Sequence, residues 1–388
     1  MVADIETQDA SQSQGVEGEL MDEQLGATLR EWWRPLLIFL ASRLAVLSMV
    51  GAAGVALRRP VSTILVGWDA KWYLMIASKG YVHHIPHLGT EARNQSDLGF
   101  FPLLPLIIRF VHLVTGLAWS TSGFLAVSFT GITASLALWC MLRDRFALDE
   151  TARGIALILL SPCALAFSYV YSEGLILTGV ALSLFLLGRK RWLLAGLAAS
   201  LATAADPVGC AAFFPCAVAA YLAIRQDREW KALLAPAASL IGVTSFFGYL
   251  WIHAGSPLTW FDAQRAGWQG GFYGLGVPNA VWTVLAHGFH NVNPPVKVAS
   301  FLIAIWLVVR FVKVAVPPTW RAYVYSVLAF GLLSPIIGIT PRILLRDGPL
   351  LGTVGATLDR FRYTIVLSVS LVALCALTIL ASTPKWTP

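Results

Sequence analysis

The chain has 388 residues, of which 57% are hydrophobic and 13% are charged, and its mean hydropathy is +0.69. Soluble domains carry about 25% charged residues, so this composition excludes a water-soluble globule of this size. The net charge of +7 in so apolar a chain favours contacts with anionic lipid or phosphate, and we expect no nucleic-acid partner. An all-α integral membrane protein is predicted.

The first 29 residues differ from the rest, because they contain seven acidic side chains and no aromatic residue. Segments with low hydrophobicity and high charge do not bury enough apolar surface to fold. Residues 1–29 are therefore predicted to be a disordered acidic cytoplasmic tail. The tail lacks the basic start of a signal peptide, so we expect no cleavage. Residues 30–388 are predicted to form a single integral membrane domain.

Apolar segments then recur along the chain, and a membrane-spanning helix needs about 20 apolar residues. The predicted spans are 35–57, 121–142, 153–171, 173–188, 192–205, 208–224, 232–253, 298–316, 321–340 and 363–381. The fifth ends at Asp206-Pro207, where proline favours a break, and broken membrane helices border protein-lined cavities. The predicted fold is a polytopic bundle of about ten transmembrane helices.

Two further apolar segments, 100–116 and 278–290, are predicted to be interfacial helices in outward loops, the first because two prolines, an arginine and a histidine interrupt it.

Basic connectors fix the orientation of the chain in the membrane, since short loops rich in Lys and Arg stay on the cytoplasmic side. With an inside N-terminus, the basic connectors around 143–153, 189–191, 225–231 and 313–321 all face the cytoplasm. Both termini are then cytoplasmic, and the long connectors, including 341–362, face outward.

Asp69 lies among aromatic residues in the first outward loop, between Trp68 and Trp72 and close to Lys71. A carboxylate at such a site can act as a general base toward a hydroxyl nucleophile. The alternative is an interfacial anchor with Asp69 as a helix cap.

Glu173 and Asp206 stand at two outward turns between apolar segments. An acidic residue at this depth in a membrane protein is a functional candidate. The alternatives are a helix cap for Glu173 and a plain Asp-Pro turn for Asp206.

The outward segment 255–268 combines aromatic rings with Gln264, Arg265 and Trp268. This mixture suits a sugar, whose apolar faces stack on rings while its hydroxyls need polar partners. An ordinary amphipathic helix is the alternative.

Arg360, Arg362 and Tyr363 precede the last predicted span. Two arginines at a membrane surface either hold a lipid phosphate or anchor the helix in the headgroups.

His83, His84 and His87, with His287 and His290, are weak evidence for a metal because no cysteine accompanies them. We predict no metal and no cofactor.

Six motifs in this order resemble those of the PIG-V family, the second mannosyltransferase of GPI-anchor assembly and its bacterial relatives, within the C-type glycosyltransferase superfamily. The motifs are WDAKWYLMIASKGY (68–81), FFPLLPL (100–106), SPCALAFSYVYSE (161–173), the Pro207/Gly209 turn, GSPLTWFDAQRAGW (255–268) and RFRY (360–363). The resemblance covers residues 68 to 363 and leaves the acidic tail outside.

The resemblance implies an inverting transfer of a sugar, most often mannose, from a polyprenyl-phosphate donor to a lipid or glycan hydroxyl at the outer face of the cytoplasmic membrane. Asp69 falls on the family's catalytic base. The implied phosphate-binding cations are Arg362 first, then Arg360, Arg265 and Lys71, and the implied sugar or acceptor pocket comprises Trp68, Glu173, Asp206, Gln264, Trp268 and Tyr363. The family usually has an arginine where this chain has Asp206, which points to altered substrate choice, a second acid or reduced activity.

Two other classes remain open. A transporter or lipid flippase also has broken helices and intramembrane acids, although the two halves of the chain show no internal repeat. An inactive scaffold of the same fold is the third possibility, and Asp206 is its only support.

Overall fold

The computed structural model describes residues 31–86, 94–268, 276–288, 290–334, 338–383 and 386. Every regular element in these ranges is helical, which confirms the all-α prediction. In chain order the helices begin with α1 (Trp33–Leu57), α2 (Val61–Leu65), α3 (Ala70–Lys79), α4 (Leu103–Thr115), α5 (Trp119–Arg143), α6 (Leu148–Leu159), α7 (Glu173–Leu187), α8 (Trp192–Ala205) and α9 (Phe213–Asp227). They continue with α10 (Leu234–Ser239), α11 (Ile241–Ala254), α12 (Thr259–Trp268), α13 (Gly276–His287), α14 (Asn293–Phe311), α15 (Pro318–Leu333), α16 (Pro341–Arg346), α17 (Gly348–Thr357) and α18 (Arg360–Ala381).

Five helical segments are long and apolar enough to cross a membrane: α1, α5, Pro207–Asp227, α14 and α18. The pair Trp230–Ser239 and Ile241–Ala254, bent by 45°, adds a sixth if it counts as one span. Helices α7 and α8 are apolar but shorter, with 15 and 14 residues. Each rises only about 22 Å, against a hydrocarbon core of about 30 Å. The described helices therefore have the lengths and composition of a helical membrane protein.

The predicted span 153–171 is not one helix. Helix α6 ends at Leu159, and residues 160–172 form turns around a short 3-10 helix, Ala164–Phe167. Pro162 explains the break, because the residue before a proline is disfavoured in the helical region. The whole segment 161–174 is buried or nearly so.

A buried arginine of α1 satisfies the carbonyl groups that this break exposes. Arg43 donates to the backbone oxygens of Ala164 at 2.7 Å and Leu159 at 3.1 Å, and to Ser168 Oγ at 2.9 Å. Unpaired backbone groups away from water are costly, so Arg43 fixes an irregular segment inside the bundle. This segment leads directly to Glu173.

Small residues allow the central helices to approach closely. A Cβ atom on Gly179 of α7 would lie 2.7 Å from the backbone oxygen of Ala198 in α8. A Cβ atom on Gly196 would in turn clash with the backbone of Ala235 in α10. Close approach through Gly and Ala is the usual packing of helices in membranes, where dispersion replaces the hydrophobic effect as the driving force.

The prediction of residues 341–362 as a connector is wrong for 341–357, which form the helices α16 and α17, almost entirely buried. The end of α17 reaches the start of α6, where Arg153 Nη1 donates to Leu358 O at 2.9 Å. Helix α18 begins near this contact. At its other end, Ala381 O accepts a hydrogen bond from Trp68 Nε1 at 2.9 Å. The final helix therefore runs in the opposite direction to the prediction.

The described ends of the chain lie at opposite ends of α1, whereas the sequence predicted both termini on one side of the membrane. Glu31, before α1, pairs with Arg143 at 3.0 Å, whereas Arg59, after α1, donates to Ser382 O at 3.3 Å. Hydropathy missed the buried helices α16 and α17 because three charged side chains interrupt this segment. Buried partners neutralise two of them, which a hydropathy profile does not register.

Candidate functional site

Asp69 starts helix α3 but does not cap it, since its side chain makes no capping hydrogen bond. The preceding Trp68 has a positive φ of 58°, an uncommon conformation for a residue with a side chain. Its indole, bound to Ala381 O, holds the turn against the end of α18. The carboxylate of Asp69 points instead to Arg342, with its Oδ2 at 2.7 Å from Arg342 Nη1. The helix-cap alternative is therefore wrong for this side chain.

Arg342 starts a chain of alternating charges that runs into the protein; we call Asp69, Arg342, Glu173, Arg346 and Asp206 the ion chain. Arg342 Nε donates to Glu173 Oε1. Arg346 Nη2 lies 2.9 Å from the same Oε1 and 2.7 Å from Asp206 Oδ2. Two guanidinium groups thus bridge three carboxylates that come from distant parts of the sequence.

Helix α16 supplies both arginines. Thr340 caps it by accepting from Ile343 N at 3.3 Å, and Pro341 occupies the first helical position, where its missing N–H costs nothing. Arg342 and Arg346 are four residues apart, so they share one face of the helix. The guanidinium of Arg342 also lies 4.3 Å from the ring centroid of Tyr171, a cation–π distance.

The ion chain becomes more buried from Asp69 to its middle member, Glu173. The exposed fraction of the side chain is 25% for Asp69, 14% for Arg342 and 0% for Glu173. With three carboxylates and two guanidinium groups, the fully ionised chain carries one net negative charge. Removing one partner from a buried pair costs about 3–5 kcal/mol, so each member depends on its neighbours. Asp69 is the member most open to a ligand.

Asp206 forms the predicted Asp-Pro turn and also an ion pair. Its Oδ1 accepts from Val208 N at 2.9 Å, which forms the Asp-Pro turn, while Oδ2 binds Arg346. The negative charge at this position therefore has a specific partner in this chain.

Three aromatic rings pack against one another, and we call Trp72, Phe100 and Trp268 the aromatic wall. Trp72 follows Asp69 by three residues at the start of α3. Trp72 stacks on Phe100 with ring centroids 5.7 Å apart, and Trp268 meets both rings edge-on at 5.9 and 5.7 Å. Gln264 Nε2 donates to Gly99 O at 3.0 Å, so it fastens α12 to the turn below the wall. Trp268 thus contacts Trp72, which lies three residues from Asp69, and the role of Gln264 and Trp268 in a sugar pocket stays a prediction.

The buried side chain of Asp97 stabilises the turn at 97–99, which precedes Phe100 of the aromatic wall. Asp97 accepts from Val82 N with its two oxygens at 3.2 and 3.3 Å. Burial raises the pKa of Asp97, and the hydrogen bond from Val82 N opposes this rise. The turn supplies the backbone oxygen of Gly99 that Trp260 and Gln264 both bind.

The predicted phosphate-binding cations separate into different regions. Lys71 is exposed on α3, two residues from Asp69, with Nζ 4.9 Å from the ring centroid of Trp72. Arg265 points away into a solvent-exposed pair with Asp262 at 3.8 Å. Of these two, only Lys71 adjoins Asp69.

The prediction of Arg360, Arg362 and Tyr363 as site residues is wrong. Tyr363 Oη donates to Arg153 O at 3.2 Å, at the start of α18, whereas Trp68 binds the last residue of that helix. Eighteen residues of helix separate the two contacts, or about 27 Å at 1.5 Å per residue. Neither phosphate binding beside Asp69 nor pocket formation is possible from there.

Sequence reasoning missed Arg342 and Arg346, the two cations that hold the site together. Their signal was present: two arginines four residues apart, directly after Thr340-Pro341, between apolar segments. Assignment of 341–362 to a connector concealed them.

The described histidines among the metal candidates lie in separate small groups. His83 stacks on His253 with centroids 4.1 Å apart, and His84 lies 6.4 Å from His83, while His87 falls outside the described residues. His290 Nδ1 contacts His287 O at 2.5 Å. Within the described ranges, no group of three or more His, Cys, Asp or Glu side chains is arranged to hold a metal ion.

No protein-family model matches the chain, and no curated protein matches it.

Proposed function

We propose that this protein is an inverting membrane glycosyltransferase that moves a sugar from a polyprenyl-phosphate donor to a hydroxyl acceptor, with Asp69 as general base. One observation carries the proposal: a partly exposed carboxylate, fixed through one oxygen by Arg342, lies three residues before Trp72 of the aromatic wall. Aromatic faces suit the apolar faces of a sugar, and a positioned carboxylate suits removal of a hydroxyl proton. The ordered motifs shared with the PIG-V family support mannose as the sugar.

In the proposed reaction, the acceptor oxygen attacks the anomeric carbon while Asp69 takes its proton. The bond between that carbon and the phosphate oxygen breaks, and the polyprenyl phosphate leaves with the electron pair. Arg342 holds the carboxylate in place during attack, and Lys71 is the cation best situated for the leaving phosphate. Electrostatic stabilisation of such developing charge is a large part of enzymatic rate enhancement.

An apolar cleft supports the proposal that the donor is linked to a lipid. It has a volume of about 540 Å³ and lies between α13, α14 and α15, lined by Val277, Pro278, Val281, Trp282, Leu285, Phe301 and Leu332. Val277 follows Gly276, which packs within 4 Å of the Cβ position of Gly338, at the approach to α16. A polyprenyl chain in this cleft would lie next to the helix that carries Arg342.

We infer eleven passages through the membrane, namely the ten predicted spans and the additional passage formed by α16 and α17. Basic residues support an outward Asp69, because the positive-inside rule assigns basic loops to the cytoplasm. The end of the bundle opposite Asp69 carries Arg143, Arg145, Arg153, Arg189, Lys190, Arg191, Arg225, Arg228, Arg360 and Arg362. The N-terminal tail would then be cytoplasmic and the end of α18 extracytoplasmic.

The test is transfer of radiolabelled mannose from polyprenyl-phosphate mannose into lipid or glycan by the purified protein in liposomes that contain membrane extract as acceptor. We expect transfer by wild type and a loss of about 100-fold or more in Asp69→Asn, the range for a removed general base. Asp227→Asn is the matched control, since Asp227 pairs with Lys190 at the opposite end. Equal transfer by Asp69→Asn would remove Asp69 from its role.

A transporter is the second candidate, and the helix breaks beside buried charges favour it. The breaks at 160–172 and 206–212 both adjoin the ion chain. Movement of labelled donor lipid between leaflets, unchanged in chemical form, would support transport. Label in a new covalent product supports the transferase.

A further inference from the structure

Glu173 offers one oxygen to both arginines of the ion chain. Arg342 Nε and Arg346 Nη2 and Nε all contact Oε1. The other oxygen, Oε2, is buried and has no hydrogen-bond partner among the described residues. The two guanidinium groups therefore share a single acceptor atom, which couples the position of one to that of the other.

We propose that Asp206 and Arg346 form a positioning pair that sets, through Glu173, how tightly Arg342 holds the Asp69 carboxylate. Neither residue of the pair touches Asp69. The proposal rests on the proposed function for its consequence in catalysis, but the coupling itself is a property of the fold. It assigns a role to Arg346, which no sequence motif marked, and to the acid at position 206.

The alternating charges give the coupling a definite sign. Without the Asp206 charge, Arg346 turns fully to Glu173 Oε1 and displaces Arg342, which is then free to bind Asp69 more tightly. Without Arg346, Glu173 retains only Arg342 and draws it away from Asp69. Neutralising the two members of one ion pair thus changes the proton affinity at position 69 in opposite directions, which loss of packing alone would not do.

Other titratable or charged groups face the ion chain and must stay constant in the comparison. They are Lys71 and Tyr73 on α3, Cys163 and Tyr171 before α7, Cys210 in the 207–212 turn, Tyr323 on α15 and Asp347 after α16. None of them is altered by the substitutions proposed below.

The experiment reads position 69 without requiring catalysis. In the full-length Asp69→Cys protein, the alkylation rate of the new thiol by iodoacetamide is measured against pH, and mass spectrometry of the peptide separates this site from the native cysteines. Thiolate is the reactive form, and a neighbouring cation favours it. We expect Asp206→Asn to move the midpoint of this profile to lower pH and Arg346→Gln to move it to higher pH. Each shift should be about half a unit to one unit, which corresponds to about 0.7–1.4 kcal/mol of changed interaction with the charged form.

Arg342→Gln in the same background separates coupling through Arg342 from a direct field. If Arg342 carries the coupling, the two shifts shrink to less than half their size in this background. Asp227→Asn and Arg225→Gln, at the opposite end, are the matched controls and should leave the midpoint unchanged. Shifts in the same direction, no shifts, or shifts that persist fully without Arg342 would each overturn the proposal.

Transferase activity supplies the second readout. With Asp69 intact, the acid limb of kcat/KM against pH should move in the same two directions, with a fall in kcat larger than any rise in KM. If wild type shows no transfer while the thiol midpoints shift as stated, the proposed function fails and the positioning pair stands. If transfer is present and the midpoints do not move, the positioning pair fails and the proposed function stands.

Discussion

Removal of Arg346 tests whether the buried charges hold the bundle together. Its side chain is 5% exposed and contacts Glu173 Oε1 at 2.9 Å and Asp206 Oδ2 at 2.7 Å. Arg346→Met keeps most of the volume but leaves three carboxylates with one guanidinium, so the net charge of the ion chain changes from −1 to −3 + 1 = −2. Loss of one partner from such a buried set costs about 3–5 kcal/mol of unfolding free energy.

The assay is thermal unfolding in detergent, followed by a dye that fluoresces on reaction with cysteine, because Cys163 and Cys216 are buried in the folded protein. Arg346→Met should unfold at a clearly lower temperature than wild type. Adding Asp206→Asn should recover part of the loss, since one unpaired acid is then neutral. Lys190→Met, which breaks an exposed pair of 2.9 Å, is the control and should change little. An Arg346→Met protein as stable as this control, or a double variant less stable than the single one, would refute the reasoning.

Three further predictions concern the site and its surroundings. Arg360→Gln and Arg362→Gln should retain sugar transfer, because these side chains lie at the far end of α18; a loss comparable to that of Asp69→Asn would restore the sequence-based assignment. Trp268→Ala should raise KM about 2- to 10-fold with a smaller effect on kcat, since an aromatic contact contributes about 0.5–1.5 kcal/mol; unchanged KM would remove it from the sugar site. The raised pKa of Asp97 means that the folded state binds a proton more tightly than the unfolded state, so stability falls as pH rises from 3.8 through the folded pKa. Asp97→Asn should flatten this part of the melting temperature profile, and an unchanged slope would contradict the assignment.

Local features of the site were predictable from the sequence because they depend on neighbours in the chain. The break at Asp206-Pro207 follows from proline geometry, and the structure ends α8 at Ala205. Asp69 lies close to Trp72 because the two residues are about one helical turn apart. The meeting of Trp268 with Trp72 was anticipated only through the shared motifs.

The arrangement of the final third of the chain was not predictable from hydropathy. A profile counts Arg342, Arg346 and Asp347 as polar residues that a membrane excludes, so it assigned their segment to a loop. Within the structure, Glu173 and Asp206 neutralise the two arginines, and the segment crosses the bundle as α16 and α17. Because the sequence-based topology omitted this segment, it assigned the opposite direction to α18 and placed the RFRY motif at the wrong end of the bundle.

The sequence by itself determined the membrane character and the helical class, since both follow from the number of apolar residues and their uninterrupted length. It also marked Asp69, Glu173 and Asp206 as acids in unusual surroundings. Only the tertiary structure decided which cations serve them, because Arg342 lies 273 residues from Asp69 along the chain. Ion pairing depends on distance in space and on exclusion of water, and neither quantity is a property of a linear sequence.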